Sequence, residues 1–148
     1  MKKLFIYFSL TGNGDLVANH LQEKGFEIRK VEMKKSLPKS FFFCVLTGGF
    51  LAGLGVKSKL KEYDHNIEGY DEIIIGSPIW NGRFSSPLNR LLKDIDFSGK
   101  NIKFIFTAGS GEGKKALKKV NRLYPGVECI FLKEPKKYKE ELDKISVQ

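Results

Sequence analysis

The strongest constraint on the fold is a set of short segments that are apolar at consecutive positions. Leu4 to Phe8 and Ile73-Ile74-Ile75 put bulky β-branched or aromatic side chains on both faces of a strand. Such runs belong to parallel sheets covered on both sides. Lys3 to Ser9 therefore reads as a first strand, and Glu72 to Ser77 as a third that stops at Pro78, which cannot donate to a ladder. Phe26 to Met33 alternates Phe26, Ile28 and Val31 with charges, as an edge strand with one exposed side does. Ile102 to Thr107 and Val127 to Leu132 complete a set of five strands.

Helices fall between these strands. Leu16, Val17, His20 and Leu21 recur at helical spacing, and Gly25 stands where a C-terminal cap is expected. Further helices are expected near Ser86 to Leu92, over Lys114 to Tyr124, and from Pro135 onward. Lys35 to Asn66 reads as a long second helix broken near Gly48, because each glycine there weakens a helix by roughly 1 kcal/mol relative to alanine. Regular alternation of strand and helix implies right-handed crossovers, and hence an α/β, doubly wound parallel sheet. In such sheets ligands bind beyond the carboxyl ends of the strands, where the strand order reverses.

At 148 residues, one domain spanning 1–148 is the expectation. An apolar content of 41% with 12% aromatics excludes a disordered chain. Cys44 and Cys129 have no C-x-x-C spacing, so they read as two reduced, buried thiols, outside any disulfide framework or zinc site. The basic start followed by Leu4 to Phe8 is too short for a secretory signal and runs into Thr-Gly-Asn-Gly. Ser40 to Val56 carries no charge but contains four glycines, and it reads as a buried helix in preference to a membrane span. Phe41-Phe42-Phe43 within it also suits an exposed dimerisation or membrane-contact patch. A cytoplasmic monomer or homodimer is the accompanying expectation.

Three loops carry the chemistry. Ser9-Leu10-Thr11-Gly12-Asn13-Gly14 joins a buried strand to a helix N-terminus, where free amides and the positive end of the dipole favour an anion. Ser9, Thr11 and Asn13 add side-chain donors, while Gly12 and Gly14 permit positive φ and close approach, so a phosphate could be held almost without cationic side chains. A plain turn with an N-cap is the competing reading. The dinucleotide fingerprint fails, since Val17 stands where its last glycine belongs. A Walker loop fails because Lys115 follows Gly113-Lys114.

The second loop, Ser77-Pro78-Ile79-Trp80-Asn81-Gly82-Arg83, holds the only tryptophan, on which a planar ring could stack. Asn81-Gly82 can adopt positive φ. The third, Thr107-Ala108-Gly109-Ser110-Gly111-Glu112-Gly113, offers small residues and backbone amides to the edge of a flat ligand.

Together these loops resemble the flavodoxin family over nearly the whole chain, most specifically in Thr11-Gly12-Asn13 and Pro78-Ile79-Trp80 followed by Gly82. The resemblance implies a five-stranded sheet in the order 2-1-3-4-5 with helices on both faces. It also implies FMN, with the phosphate on Ser9, Thr11, Gly12, Asn13 and Gly14. The ring would lie between Pro78, Ile79, Trp80, Asn81 and Gly82 on one side and Ala108, Gly109, Ser110, Gly111 and Gly113 on the other. No side chain need be a catalytic acid or base. The implied role is electron carriage between partner proteins; an NAD(P)H:quinone-type oxidoreductase is the alternative.

Three departures from the family pattern stand out. Gly14 replaces a hydroxyl residue that would donate to phosphate. The third loop lacks a covering tyrosine, which leaves one ring face open. The third departure is charge: family members are typically acidic, whereas this chain has a net charge of +9. Arg83 and Arg90 lie near the ring loop, and Lys114, Lys115, Lys118 and Lys119 cluster after the third. These cations suit an acidic redox partner or the phosphates of NAD(P)H. A solvated helix face is the plainer reading. A basic nucleic-acid-binding module without flavin is the rival from another class, though no motif interleaves aromatics with the lysines.

Overall fold

The structure, a computed structural model, describes residues 1–34 and 59–147. Its elements are β1 (Lys3–Tyr7), α1 (Asn13–Glu23), β2 (Glu27–Lys30), β3 (Glu72–Trp80), β4 (Arg83–Phe84), α2 (Ser86–Asp94), β5 (Ile102–Ala108), α3 (Lys114–Leu123) and β6 (Cys129–Lys133), followed by a 3-10 helix at Lys139–Lys144. The sheet runs β2-β1-β3-β5-β6 with every neighbour parallel. Counted by its five long strands, this is the order 2-1-3-4-5 that the sequence implied. The chain leaves β1 to one side and returns to β3 on the other, so the switch point lies between those two strands.

Alternate residues of the central strands feed two cores. Leu4, Ile6, Ile73, Ile75, Phe104 and Phe106 face Leu88 and Leu91 of α2 and Ala116 and Val120 of α3. Phe5, Tyr7, Ile74, Ile105 and Leu132 face Val17, Ala18 and Leu21 of α1, with Ile145 closing the same side. Fully burying each large side chain stabilises the fold by about 1.5–3 kcal/mol before its entropy cost. Cover on both faces is what the consecutive apolar runs required.

α1 ends as Gly25 suggested. Gly25 adopts φ +86°, its amide donates to the Gln22 carbonyl at 3.0 Å, and the Phe26 amide donates to the Leu21 carbonyl at 3.1 Å. That pair of bonds is a Schellman cap, with buried Phe26 and Leu21 making the contact that accompanies it.

Several boundaries differ from the sequence reading. β3 continues through Pro78 to Trp80. Its neighbour β1 has ended at Tyr7, opposite Gly76, so the missing proline N–H costs no ladder bond on that side. Asn81 and Gly82 both take positive φ, 51° and 72°, and form a two-residue primed turn that folds β4 back antiparallel on Ile79 and Trp80. The stretch read as a loop is therefore a hairpin. Residues 59–66 are not helical, and Leu60 instead bridges Met33. The rest of that expected second helix, Ser40 to Val56 with its Phe41-Phe42-Phe43 patch included, lies outside the described residues, as does Cys44. The expected final helix is a 3-10 turn, and Leu142 within it and its C-cap residue Ile145 face inward, three apart as such a turn favours.

Gly76 gives a first testable consequence. A Cβ there would lie 2.5 Å from Phe5 Cζ and 2.9 Å from Tyr7 Cβ, beneath two rings stacked 4.8 Å apart. Phe5 is 1% exposed and has nowhere to retreat. Gly76→Ala is expected to lower stability by about 1–3 kcal/mol, read as a drop in the urea midpoint at unchanged slope.

Candidate functional site

A cleft opens at the carboxyl ends of β1, β3 and β5. Its lining comprises Leu10, Thr11 and Asn13 from the first loop, Pro78, Ile79, Trp80 and Asn81 from the β3–β4 hairpin, Thr107, Ala108 and Gly109 after β5, and Glu134 after β6. All three sequence-predicted loops thus reach one cleft, at the switch point where such sheets bind ligands.

The first loop is organised around Ser9. Its Oγ accepts the Gly12 amide at 3.2 Å and the Gly14 amide at 3.1 Å. An oxygen accepting two N–H groups keeps its own proton as a donor for an outside acceptor. Gly12 caps α1 at φ +92°, a conformation that suits glycine. The first helical bond runs from the Leu16 amide to the Gly12 carbonyl at 3.3 Å. The Asn13 and Asp15 amides therefore precede the ladder and have no intrahelical acceptor. Hydroxyl, unpaired amides and helix dipole together fit a phosphate monoester.

Gly14 does something different from lending flexibility. A Cβ at Gly14 would lie 2.9 Å from Ser9 Cβ and 3.1 Å from Tyr7 Cδ2, so the residue is a point of close helix–strand contact. There is no room for the hydroxyl side chain that the resemblance leads one to look for there.

A lysine missed by the sequence reading closes this loop. Lys136, from the segment after β6, donates from its amide to Asn13 Oδ1 at 2.9 Å and from Nζ to the Thr11 carbonyl at 2.9 Å. A cation therefore stands at the mouth of a loop expected to manage almost without one. No local signal marks Lys136 among its neighbouring lysines; only the return of β6 to the sheet edge brings it there. Glu134 was missed for the same reason, whereas Leu10 and Thr107 stand within the first and third loops but were not singled out as cofactor contacts.

Beneath the loop, the Tyr7 hydroxyl donates to Asp15 Oδ1 at 2.6 Å and Lys30 Nζ lies 2.9 Å from the same oxygen. Burial and the neighbouring carboxylate push the Tyr7 pKa up, keeping it a donor. Burial alone would raise Asp15, but the Tyr7 bond, Lys30 and Lys136 outweigh it and hold the carboxyl below its usual range. A lowered carboxylate pKa contributes stability above the unfolded-state value that is lost as pH falls through the folded one. Asp15→Asn is expected to lower the urea midpoint at pH 7, and the difference from the unsubstituted protein should vanish on acidification below the ordinary carboxylate range.

Trp80 ends β3 at 8% exposure, with its ring edge-on to Phe8 at 5.9 Å. It is held by the core on one side and lines the cleft on the other. Gly82 lies outside the lining and accepts the Ala116 amide at 3.0 Å, tying the hairpin to α3. Of the third loop, only Ala108 and Gly109, with Thr107, line the cleft. Ser110 accepts the Glu112 amide at 3.3 Å. A Cβ at Gly111 would crowd Lys133 at 3.1 Å, and one at Gly113 would crowd Phe131 at 3.0 Å and Ile79 at 3.1 Å. Those two glycines are points of close packing against β6 and, at Gly113, against Ile79 as well.

Arg90 is not near-ring charge in reserve. Its Nε donates to Asp94 Oδ1 at 2.8 Å. Cys129 is half-buried, not buried as expected, and burial followed by Glu128 pushes its thiol up to about 11, which makes it a poor nucleophile at neutral pH.

A family model described as Flavodoxin matches residues 55–146, well over half of the 148-residue chain. The chain belongs to the flavodoxin family. The match includes the hairpin, the third loop and Lys136, and the first loop lies N-terminal to it. Among solved structures, this flavodoxin resembles a protein of Bacteroides eggerthii provisionally described as a flavoprotein, at TM-score 0.77, 22% identity and 99% coverage of both chains. It also resembles a flavoprotein of Lactobacillus acidophilus solved in complex with FMN, at TM-score 0.68 and 20% identity over 94% of this chain and 97% of that one. At these identities the likeness is one of fold. No curated protein matches the sequence.

Proposed function

We propose that this chain binds one FMN in the cleft and carries electrons between partner proteins. The observation that supports it best is the convergence of the Ser9–Gly14 anion loop and the Trp80 hairpin on a single cleft at the switch point. Family membership and the FMN complex of the Lactobacillus relative agree with that reading. When bound, FMN supplies the redox chemistry, and the protein supplies binding, orientation and field.

The Ser9 hydroxyl and the Thr11, Asn13 and Asp15 amides hold the phosphate, with Lys136 adding charge. Trp80 and Ile79 carry one ring face. Ala108 and Gly109 form the opposite wall and, having no bulk, leave that face open. The open wall is the specific feature favouring the second reading, an NAD(P)H-fed reductase acting on a small acceptor. A cytoplasmic site of action accompanies either reading, and among the described residues no helix is long and apolar enough to cross a membrane.

Calorimetric titration with FMN and riboflavin tests the proposal. FMN is expected to bind at one equivalent and more tightly than riboflavin, the difference reporting the phosphate loop. Equal affinity would remove the phosphate loop from the account. Steady NAD(P)H consumption by the FMN-loaded protein with a quinone would move the assignment from carrier to reductase.

A further inference from the structure

The chain beyond β6 does more than deliver Lys136. Residues 134–147 are mostly charged, and of them only Pro135 and Ile145 are buried. The 3-10 helix at Lys139–Lys144 buries none of its own residues, and Leu142 and Val147 meet the core only partly buried. A segment with so little apolar burial lies at the low end of local stability. Its place on the protein depends on polar ties at its two ends. At the far end Glu141 Oε2 accepts the Lys133 amide at 2.9 Å and Lys144 Nζ at 2.7 Å, folding the 3-10 helix back on the end of β6. At the near end the ties are those of Lys136 to Asn13 and Thr11.

The near end is also strained. Glu134 takes φ +37°, a conformation that a residue with a side chain disfavours. Backbone bonds keep it there: the Glu134 amide donates to the Ala108 carbonyl at 3.2 Å, and the Lys137 and Tyr138 amides donate to the Glu134 carbonyl at 2.8 and 3.0 Å. This turn carries the chain from one wall of the cleft, where Ala108 and Glu134 both stand, to the anion loop. Two residues on, Lys136 Cδ passes 3.3 Å from the point that a Cβ on Gly12 would occupy. Its ammonium is thereby directed at the neutral Thr11 carbonyl, at the mouth of a loop whose free donors suit a phosphate. A phosphate on that loop gives the ammonium a charged partner as well.

We infer that residues 134–147 form a strap over the phosphate loop that a bound phosphate fastens through Lys136. An anion on the loop favours the closed strap and, reciprocally, the closed strap strengthens the hold on the anion. Opening the strap removes Glu134 from the cleft and the cation from its mouth together, so ligand release waits on that opening. That the phosphate belongs to FMN rests on the proposed function; the attachment of the strap to the loop does not.

Hydrogen exchange read by mass spectrometry on the full chain tests the strap. Peptides over 134–147 are expected to exchange about fivefold or more slowly with FMN than without it, and riboflavin, which lacks the phosphate, should leave them nearly unchanged. Lys136→Met keeps the stem and removes the ammonium. It should speed exchange of the same peptides in the ligand-free protein and abolish most of the slowing by FMN. Glu141→Ala cuts the far ties without touching loop or cleft, and should weaken FMN by about threefold and riboflavin less. A merely structural segment would exchange faster in both variants but leave the ratio of the two affinities as it was, and that result would overturn the inference. So would equal slowing by FMN and riboflavin, or FMN bound with exchange over 134–147 unchanged. If FMN does not bind the unsubstituted protein, the proposed function fails and inorganic phosphate becomes the probe. Slower exchange over 134–147 in phosphate then supports the strap, and unchanged exchange overturns it.

Discussion

Replacing Trp80 with leucine is expected to weaken FMN and riboflavin by the same factor. Stacking of a flat heterocycle on an aromatic side chain contributes about 1–3 kcal/mol, which is roughly a 5- to 150-fold change in Kd. The factor is shared because Trp80 lines the ring part of the cleft, away from the loop built on Ser9. Trp80 is also 92% buried by its 8% exposure, so the leucine variant loses some stability as well. Trp80→Phe separates the two effects by keeping an aromatic face in the core. Calorimetric titration of both ligands checks the claim, and a loss confined to FMN would place the tryptophan by the phosphate instead.

The opposite pattern is expected for Gly14→Thr. The resemblance suggests that a hydroxyl here adds a phosphate donor, but the geometry reverses the sign. A Cβ at position 14 would stand 2.9 Å from Ser9 Cβ and 3.2 Å from Ser9 Oγ. Ser9 must then swing away from the amides of Gly12 and Gly14 that it joins. The loop loses the oxygen at its centre and the donor aimed outward, and hydrogen bonds to a charged group contribute about 1.5–3 kcal/mol each. FMN should weaken by about tenfold or more, with riboflavin nearly unaffected. Tighter FMN binding in the variant would show that the loop relaxes in a way the close contact does not allow for.

Much of this was legible in the sequence because the signals were local. The doubled apolar runs of Leu4 to Phe8 and Ile73 to Ile75 require cover on both faces, and the two cores supply it. The Thr-Gly-Asn-Gly loop follows directly from its place between a buried strand and a helix. The hairpin was half-legible. Asn81-Gly82 announced positive φ, but β4 is two residues long, too short to show any periodicity of its own. Pro78 misled because a proline forbids a ladder bond only where a neighbouring strand is present to make one. Arg90 was assigned to the ring loop by proximity in sequence, whereas Asp94, one turn on in the same helix, claims it.

What stayed hidden came from long-range closure. Lys136 touches Thr11 across 125 positions and Asn13 across 123, a meeting set by the pairing of β5 with β6 and by the turn after Lys133. The charge of the loop therefore depends on the far end of the chain. In the proposed FMN site, a cation there offsets the donor lost with Gly14 in place of a hydroxyl residue.

The central claim is that FMN lies against Trp80 with its phosphate on the Ser9 loop, and the most direct measurement is the fluorescence of that single tryptophan during titration with FMN. The account predicts strong quenching that saturates at one equivalent, and a weaker, right-shifted curve with riboflavin. Unchanged emission at saturating FMN, with the protein folded throughout, would contradict it.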